Sequence, residues 1–294
     1  METHIRSVED SLIESLSFGL PNSANFINDR RSVTFFPTGG KNFAPTGVKI
    51  IKFMIAGTDW LDPSTVRVQF RLRNTGPGLL QPVSALPALF FRRLRILAGG
   101  QVIEDIDYYN RAYHMIHNLL PVERRMNDFA EGLGINSGAP DRNFGMHIDQ
   151  TKLQPPAIVQ GGNRVVLFPL MCGLFNQTKF SPLRLLQGLQ IELEVVNNYD
   201  DVVLTNNPYV QNNWTNQWDI SEPQIKCDVI TLDNQLDNEY TDHLMQGTSL
   251  PIKFSSFLHA VQSLAAADRN SISMSRSSTR LKSVFITFYR QPEL

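Results

Sequence analysis

The stretch from Trp60 to Ile106 constrains the fold of this chain more than any other part of the sequence. Within it, apolar and polar residues alternate: Val66, Val68, Phe70 and Leu72 are separated by Arg67, Gln69, Arg71 and Arg73. A period of two predicts a β-strand with one buried face. Farther on, Gly99-Gly100 separates two apolar runs and predicts a tight hairpin, because such turns need the positive φ that glycine adopts freely. The stretch predicts antiparallel β-structure and contains few residue types that catalyse reactions.

The composition is that of a folded protein. Of its 294 residues, 42% are hydrophobic and 19% are charged, and 10% are aromatic, so an extensive core is expected and general disorder is not. The formal net charge is -1. Because nucleic-acid binding usually requires a surplus of cations, we expect no direct contact with nucleic acid.

The two cysteines and the terminal sequence predict an intracellular location. Cys172 and Cys227 lie far apart in apolar or alternating contexts, which favours inert core thiols over a disulfide framework. The N-terminus lacks the pattern of a signal peptide. No window approaches the roughly 18 consecutive apolar residues of a membrane helix, so we expect a soluble protein without a membrane span.

Strand-like segments recur along the chain without alternating helices. They cover 48–56, 66–73, 90–98, 101–106, 164–170 and 189–196, and after a polar stretch they resume at Ile225 and end with 281–289. One helix is predicted over 108–120, followed by a long polar loop over 121–163. Residues 1–45 have the character of an N-terminal arm that begins with a short helix (Val8, Leu12, Leu16). This order predicts an all-β antiparallel sandwich or jelly roll.

The search for a catalytic or metal-binding set finds none. His114 and His117 are three residues apart on the predicted helix, but nothing in the sequence completes a ligand set, and packing on the sheet is the favoured interpretation. The acidic cluster of Glu104, Asp105 and Asp107 is expected to be a solvated strand end or to pair with Arg92, Arg93 or Arg95. There is no Gly-X-Ser-X-Gly motif. The sequence therefore predicts no catalytic residue, no cofactor-binding residue, no metal site and no cofactor.

Four segments together resemble a known family. They are Arg30-Arg31-Ser-Val-Thr-Phe-Phe-Pro, Trp60-Leu-Asp-Pro-Ser-Thr-Val, Arg93-Leu-Arg-Ile-Leu-Ala-Gly-Gly-Gln-Val-Ile-Glu-Asp and Arg280-Leu-Lys-Ser-Val-Phe-Ile-Thr-Phe. In this combination and order the chain resembles the double jelly-roll major capsid proteins of tailless icosahedral DNA viruses. The resemblance is greatest to those of polinton-like viruses, virophages and relatives of the large eukaryotic DNA viruses. The motifs are structural rather than catalytic.

The resemblance implies a domain plan. A first, complete jelly roll would span 46–200, a linker 201–216, and a second, incomplete jelly roll 217–294, with one short helix in a long loop. Family members are usually considerably longer. We therefore expect a chain that is shortened in the second jelly roll, as a fragment, a split gene product or a viral remnant would be.

The resemblance also implies a function. The chain would be a structural, non-enzymatic capsid protein that self-associates into homotrimers with a pseudo-hexagonal outline, and these would tile an icosahedral shell. Minor capsid and penton proteins would be further partners. The protein would be located in the virion, after assembly in the host cytoplasm or nucleus. In this context the alternating face of Arg67, Arg71 and Arg73 is a candidate contact surface.

Two other functions stay open at the sequence level. A carbohydrate-binding jelly-roll module, such as an attachment protein, is suggested by the Trp- and Asn-rich segment 206–218. Against it, Trp60, Trp214 and Trp218 are favoured as packing anchors. A jelly-roll enzyme that uses His114 or His117 is the third and least favoured interpretation.

Overall fold

The structure is a computed structural model that describes residues 26–134, 155–204, 214–265, 269–273 and 280–287. Its strands are β1 (Ile27–Phe35), β2 (Pro37–Thr38), β3 (Asn42–Phe43), β4 (Ile50–Ile55), β5 (Trp60–Asn74), β6 (Phe91–Ala98), β7 (Gln101–Ile106), β8 (Asn163–Pro169), β9 (Ser181–Pro182), β10 (Leu189–Val195) and β11 (Trp218–Leu232). The α-helices are α1 (Tyr109–Asn118), α2 (Val122–Glu131) and α3 (Asn234–Met245), and short 3-10 helices cover Pro87–Phe90, Leu174–Asn176 and Tyr199–Asp201.

The strands form two sheets with the connectivity of a jelly roll. One sheet has the order β1-β11-β5-β8, with β3 paired to β11 and β9 to β5, and the other has the order β2-β4-β10-β6-β7. When the longer strands β1, β4, β5, β6, β7, β8, β10 and β11 are numbered in chain order, the sheets read 1-8-3-6 and 2-7-4-5. This is the two-sheet jelly-roll arrangement. The predicted fold class, an all-β antiparallel jelly-roll sandwich, is confirmed.

Strand β5 illustrates how the sequence builds the core. Its alternation is realised, because Val66, Val68, Phe70 and Leu72 are each at most 1% exposed while the intervening side chains are half-buried. The Phe70 ring makes edge contacts with Phe90, Phe91 and Phe168 at centroid distances of 6.3, 5.5 and 6.2 Å. Aromatic rings in this geometry stabilise a core beyond the area that they bury.

The predicted hairpin joins β6 to β7. Ala98 pairs with Gln101 across the turn, and Gly99 and Gly100 both have positive φ, at 55° and 77°. Two successive residues in this region match the primed turns of two-residue hairpins, which follow the twist of the flanking strands. The strand predictions for β4, β8 and β10 are confirmed as well.

The first jelly roll extends farther along the chain than predicted. We expected a linker over 201–216 and a second jelly roll from 217, but β11 lies between β1 and β5 in the four-stranded sheet. Residues 218–232 therefore supply the last strand of the first jelly roll, and the predicted boundary is wrong at this point. The physical reason is that strand partners are chosen by non-local packing, which leaves no periodic mark on the sequence. The arm predicted over 1–45 likewise contains β1, β2 and β3.

Helix α1 confirms the predicted helix, but two other helices were not predicted. The long loop expected over 121–163 contains α2 immediately after Pro121, so that prediction is wrong over Val122–Glu131. Asp233 caps α3, since its side chain accepts a hydrogen bond from the Gln235 backbone N–H at 3.0 Å. Both helices follow recognisable start signals.

The segments that follow α3 differ from the prediction. In the described residues from 251 to 287 there is no helix or strand, so the strand predicted over 281–289 is wrong over 281–287. That this region belongs to a second jelly roll stays a prediction. The helix predicted around Val8, Leu12 and Leu16 lies outside the described residues.

The chain divides into two compact units. The larger consists of Arg31–Val229 with Pro251–Leu294 and contains most of both sheets together with α1 and α2. The smaller consists of Met1–Arg30 with Ile230–Leu250, and its described part contains the start of β1, the end of β11 and α3. Among the described helices none is both long and apolar enough to cross a membrane.

Candidate functional site

A row of alternating charges crosses the outer face of the five-stranded sheet. Strand register places Lys52 on β4, Glu192 on β10, Arg95 on β6 and Asp105 on β7 side by side. The Glu192 carboxylate lies 3.1 Å from Lys52 Nζ and 3.0 Å from Arg95 Nη1, and Arg95 Nε lies 3.9 Å from Asp105. Opposite charges directly across neighbouring strands stabilise the pairing. The row ends on an anion at β7, the last strand of the sheet.

Asp105 and Asp107 of the hairpin also pair with Arg93 and Arg92. Arg93 donates to both carboxylate oxygens of Asp105, at 2.7 and 2.6 Å, and this hydrogen bonding raises the pKa of Arg93. Arg92 lies 3.6 Å from both Asp107 and Glu194. The prediction that Asp105 and Asp107 serve as partners for the nearby arginines is confirmed. Partly exposed pairs of this kind contribute about 0–1 kcal/mol each.

Glu104 has a different and buried environment. It is 2% exposed, and its carboxylate accepts hydrogen bonds from the backbone N–H groups of Gly173, at 2.9 Å, and Leu174, at 2.7 Å. The expectation of a solvated strand end is therefore wrong for this residue, since it holds the loop before β9 against the sheet. Next to that loop, burial raises the pKa of the Cys172 thiol well above its ordinary value. Such a thiol is a poor nucleophile, as predicted.

The arginine face of β5 is also occupied by partners. Arg71 donates to Asn163 at 3.0 Å and to Glu222 at 3.2 Å. Arg73 donates to Asp219 from two nitrogens, and this hydrogen bonding raises the pKa of Arg73. Arg67 donates to the backbone carbonyls of Ser64 and Val66, at 2.9 and 3.0 Å. These contacts link β5 to β8 and β11 and stabilise the sheet. That this face contacts other molecules stays a prediction.

The two histidines of α1 do not converge on one site. His117 is buried, and its Nε2 lies 3.3 Å from the Asp128 carboxylate on α2, whereas His114 is exposed. Burial lowers the pKa of His117 despite the nearby carboxylate. Among the residues that the structure describes, no group of three His, Cys, Asp or Glu side chains could hold a metal ion. His117 thus connects two helices, where the sequence predicted a half-exposed helix face.

The tryptophans do not offer a flat exposed platform for a sugar. Trp218 is fully buried, and its ring packs edge-on against Phe90 at 4.8 Å and Tyr199 at 5.6 Å. Trp60 is 8% exposed and Trp214 is half-buried. The packing interpretation is confirmed for Trp60 and Trp218, so the segment 206–218 loses part of the reason for a carbohydrate site. Residues 205–213 lie outside the described residues.

A cleft of about 270 Å³ lies beside α2 and has a charged lining: Arg67, Arg124, Asn127, Asp128, Ala130, Glu131 and Pro169. Small-molecule sites are usually lined by apolar and aromatic side chains with a few polar groups. This lining has the opposite character, and Arg124 lies 3.6 Å from Asp128 within it. The cleft does not favour a ligand site.

The most unusual exposed feature is a short apolar segment near the end of the described chain. Leu281, Val284, Phe285 and Ile286 are 63%, 54%, 48% and 67% exposed, within six consecutive residues. Soluble proteins seldom expose contiguous apolar residues unless they bind a partner. The sequence predicted a strand here, but over the described residues 280–287 the segment forms none.

No protein-family model matches the sequence, and no curated protein matches it. Several solved structures are similar to it. PBCV-1 VP54, fitted into a reconstruction of the virophage Sputnik, is 17% identical with a TM-score of 0.49, over 76% of this chain and 47% of that chain. The Sputnik virophage structure is 10% identical with a TM-score of 0.48, over 75% and 52%. The Faustovirus major capsid protein is 11% identical with a TM-score of 0.43, over 79% and 59%.

The chain spans about half the length of the first of these solved structures.

Proposed function

We propose that the chain is a structural capsid subunit that acts by self-association and catalyses no reaction. The observation that carries the proposal is the jelly-roll strand order, 1-8-3-6 and 2-7-4-5, built from the segments on which the sequence resemblance rests. Trp60–Val66 lies in β5, and Arg93–Asp105 forms most of the β6–β7 hairpin. Three of the four segments that carry the resemblance therefore contribute to the framework of the sandwich, whereas the fourth has no strand over its described residues 280–287.

The chemistry of the described residues supports a structural role. Several charged side chains of the two sheets, among them Arg73, Arg93, Arg95 and Glu104, are engaged in ion pairs or in hydrogen bonds to the backbone. The exposed apolar segment at 281–286 supports association with another protein surface, since burial of such side chains is the main driving force of assembly. We propose homotrimers with a pseudo-hexagonal outline as the capsomer, with minor capsid and penton proteins as further partners in the virion.

Light scattering on the purified full chain tests the proposal. We expect a particle of three times 33.3 kDa at micromolar concentration, and pseudo-hexagonal particles in negative-stain micrographs. A monomer by light scattering would overturn the trimer. A glycan array provides the control for the alternative function, because specific binding to any sugar would favour an attachment module over a shell subunit.

A further inference from the structure

A strap of chain, Pro251–His259, lies on the larger compact unit, of which it is a part. It forms no helix or strand. Ile252, Phe254 and Phe257 are half-buried and pack against the hydrophobic core, while the residues between them are exposed. The strap is therefore held by side-chain packing rather than by the hydrogen-bond ladder of a sheet. Segments held in this way open at a lower free energy than the core that they cover.

Gly173 provides the seat of the strap. A Cβ atom on this residue would overlap the Ser255 carbonyl group and the Phe254 ring, both of which belong to the strap. The backbone of Gly173 has φ −65° and ψ −43°, a conformation that every residue adopts easily. The close approach of the strap, and not the backbone conformation, therefore requires glycine at this position.

The seat itself is fixed to the sandwich. The backbone N–H groups of Gly173 and Leu174 donate to the Glu104 carboxylate, at 2.9 and 2.7 Å, and the Met171 N–H donates to the Tyr109 hydroxyl at 3.0 Å. Both acceptors are buried. Buried hydrogen bonds of this kind are costly to break, so the strap is the part that can move.

The end of the strap contacts Tyr108. The His259 ring lies 5.0 Å from the Tyr108 ring, with their planes 30° apart. Tyr108 has φ 49° and ψ 39°, in the left-handed region that residues other than glycine rarely adopt. Strained residues of this kind concentrate where a structure clamps a ligand or switches between states. Here the strained residue presents its ring to the strap.

Cations lie on both sides of this contact. The Arg92 guanidinium of β6 lies 5.5 Å from the centroid of the Tyr108 ring, and Arg111 of α1 acts electrostatically on His259. The strap itself carries one other charged residue, Lys253. A positive charge on His259 would therefore be added to a region that already contains cations.

The carboxylates near the contact compensate for this only in part. Asp107 favours a positive charge on His259, but it also lies 3.6 Å from Arg92, which has Glu194 of β10 as its second partner at 3.6 Å. Burial lowers the pKa of His259, Arg111 acts in the same direction, and Asp107 acts against them. The seated strap thus favours the neutral ring.

We propose that the strap is detachable, that Gly173 seats it, and that protonation of His259 at Tyr108 releases it. The released ring binds a proton more readily than the seated one. Seating is therefore favoured above the ordinary histidine pKa of 6.5 and is lost progressively as the pH falls below it. The position of the chain that follows His259 then depends on pH. The inference concerns a single chain and does not require self-association.

Pulse proteolysis of the full chain tests the release. A brief exposure to proteinase K is applied at about pH 7.5 and at about pH 5, and mass spectrometry measures cleavage within the strap. At each pH the rate for the unmodified chain is divided by the rate for His259→Gln. This ratio cancels the effect of pH on the protease and on His117, which both chains contain. We expect the ratio to rise several-fold at the lower pH, and an unchanged ratio would overturn the acid release.

A pair of glycine variants tests the seat at the higher pH. Gly173→Ala places a methyl group where the strap lies, and we expect several-fold faster cleavage within the strap. Gly47→Ala is the matched control, because a Cβ atom there meets nothing within 4 Å, and we expect the rate of the unmodified chain. Equal rates in the two variants would overturn the seat. Fluorescence of the buried Trp218 reports whether each sandwich is folded. The His259→Gln ratio decides the proposal even if Gly173→Ala does not fold.

The outcomes separate this inference from the proposed function. A trimer by light scattering whose cleavage ratio does not change with pH overturns the acid release and leaves the capsid role intact. A monomer whose ratio rises at the lower pH supports the strap and overturns the self-association.

Discussion

Strand β5 and the segment Arg280–Thr287 contain similar kinds of residues in very different environments. Val66, Val68, Phe70 and Leu72 of β5 are each at most 1% exposed, whereas the apolar residues of the segment are 48% to 67% exposed. β5 pairs with β8, β9 and β11, while the segment has no strand partner in the described chain. The difference lies in the neighbours and not in the intrinsic preference of the residues.

This contrast teaches what an alternating or β-prone pattern can establish. β-propensity measures how well a side chain fits a pleated, half-buried surface, so it is realised only where a neighbouring strand provides that surface. In β5 the partners come from positions that are distant in sequence, such as Asn163 opposite Arg73. For the segment, no described strand provides that surface.

The largest loss of folding free energy is expected when a charge is placed in the buried face of β5. Phe70→Asp would bury an unpaired carboxylate among three aromatic rings and cost at least about 4 kcal/mol of folding free energy. We expect no soluble folded protein. The matched variant Phe285→Asp should change the free energy of unfolding by less than about 0.5 kcal/mol, because that side chain is half exposed. Urea denaturation measures both. Equal losses would contradict the contrast between the two regions.

A second comparison uses neighbouring acids on β7. Glu104→Ala removes the acceptor of two buried N–H groups and should lower the free energy of unfolding by about 2–4 kcal/mol. Asp105→Asn disrupts partly exposed ion pairs, and we expect a loss below about 1 kcal/mol. Thermal unfolding of the two variants under one buffer provides the measurement. A larger loss for Asp105→Asn would show that the ion pairs of Asp105, and not the buried Glu104 carboxylate, stabilise β7.

The burial of His117 should make stability depend on pH. Burial lowers the pKa of His117 below the ordinary value of 6.5. As pH falls below 6.5, the unfolded chain therefore binds a proton before the folded chain does. The stability present above that pH is lost progressively as the pH falls toward the folded-state pKa. His117→Gln should flatten this loss in urea titrations between about pH 6.5 and pH 5.

The exposed His243 on α3 provides the control for that titration. If His243→Gln and His117→Gln flatten the profile equally, the slope does not arise from the burial of His117.

The smallest effect is expected on the outer face of β5. Gln69→Asp lies beside Phe70 in sequence but points to the opposite face, and we expect a change in the free energy of unfolding within about 0.5 kcal/mol. Light scattering on the same variant checks the arginine face as a contact surface. A loss of oligomers with unchanged stability would place an interface there.

Much of the fold was predictable from local patterns. The period-2 alternation of β5 and the Gly-Gly turn between β6 and β7 depend on neighbouring residues and on backbone conformation, which the sequence specifies directly. The start signals of α2 and α3 were present too, at Pro121 and at Asp233. The polar residues after Pro121 predicted a long loop, and no helix was predicted after Asp233, although both helices contain good helix formers.

The contacts of the acidic residues on the five-stranded sheet were predictable in part. The pairing of Asp105 and Asp107 with arginines follows from opposite charges on adjacent strands of one hairpin. The burial of Glu104 did not follow, because its partners Gly173 and Leu174 are about seventy residues away in sequence and a backbone N–H has no signature of its own.

The sequence by itself determined most of the long strands of the sandwich, where the hairpin would turn and which side of β5 would be buried. The tertiary structure alone decided that β11 completes the first jelly roll, that Glu104 is buried, and that Arg280–Thr287 has no strand partner in the described chain. Local patterns encode backbone conformation and the direction of side chains. The choice of strand partner depends on how distant segments pack together, and that is settled only when the sheets assemble.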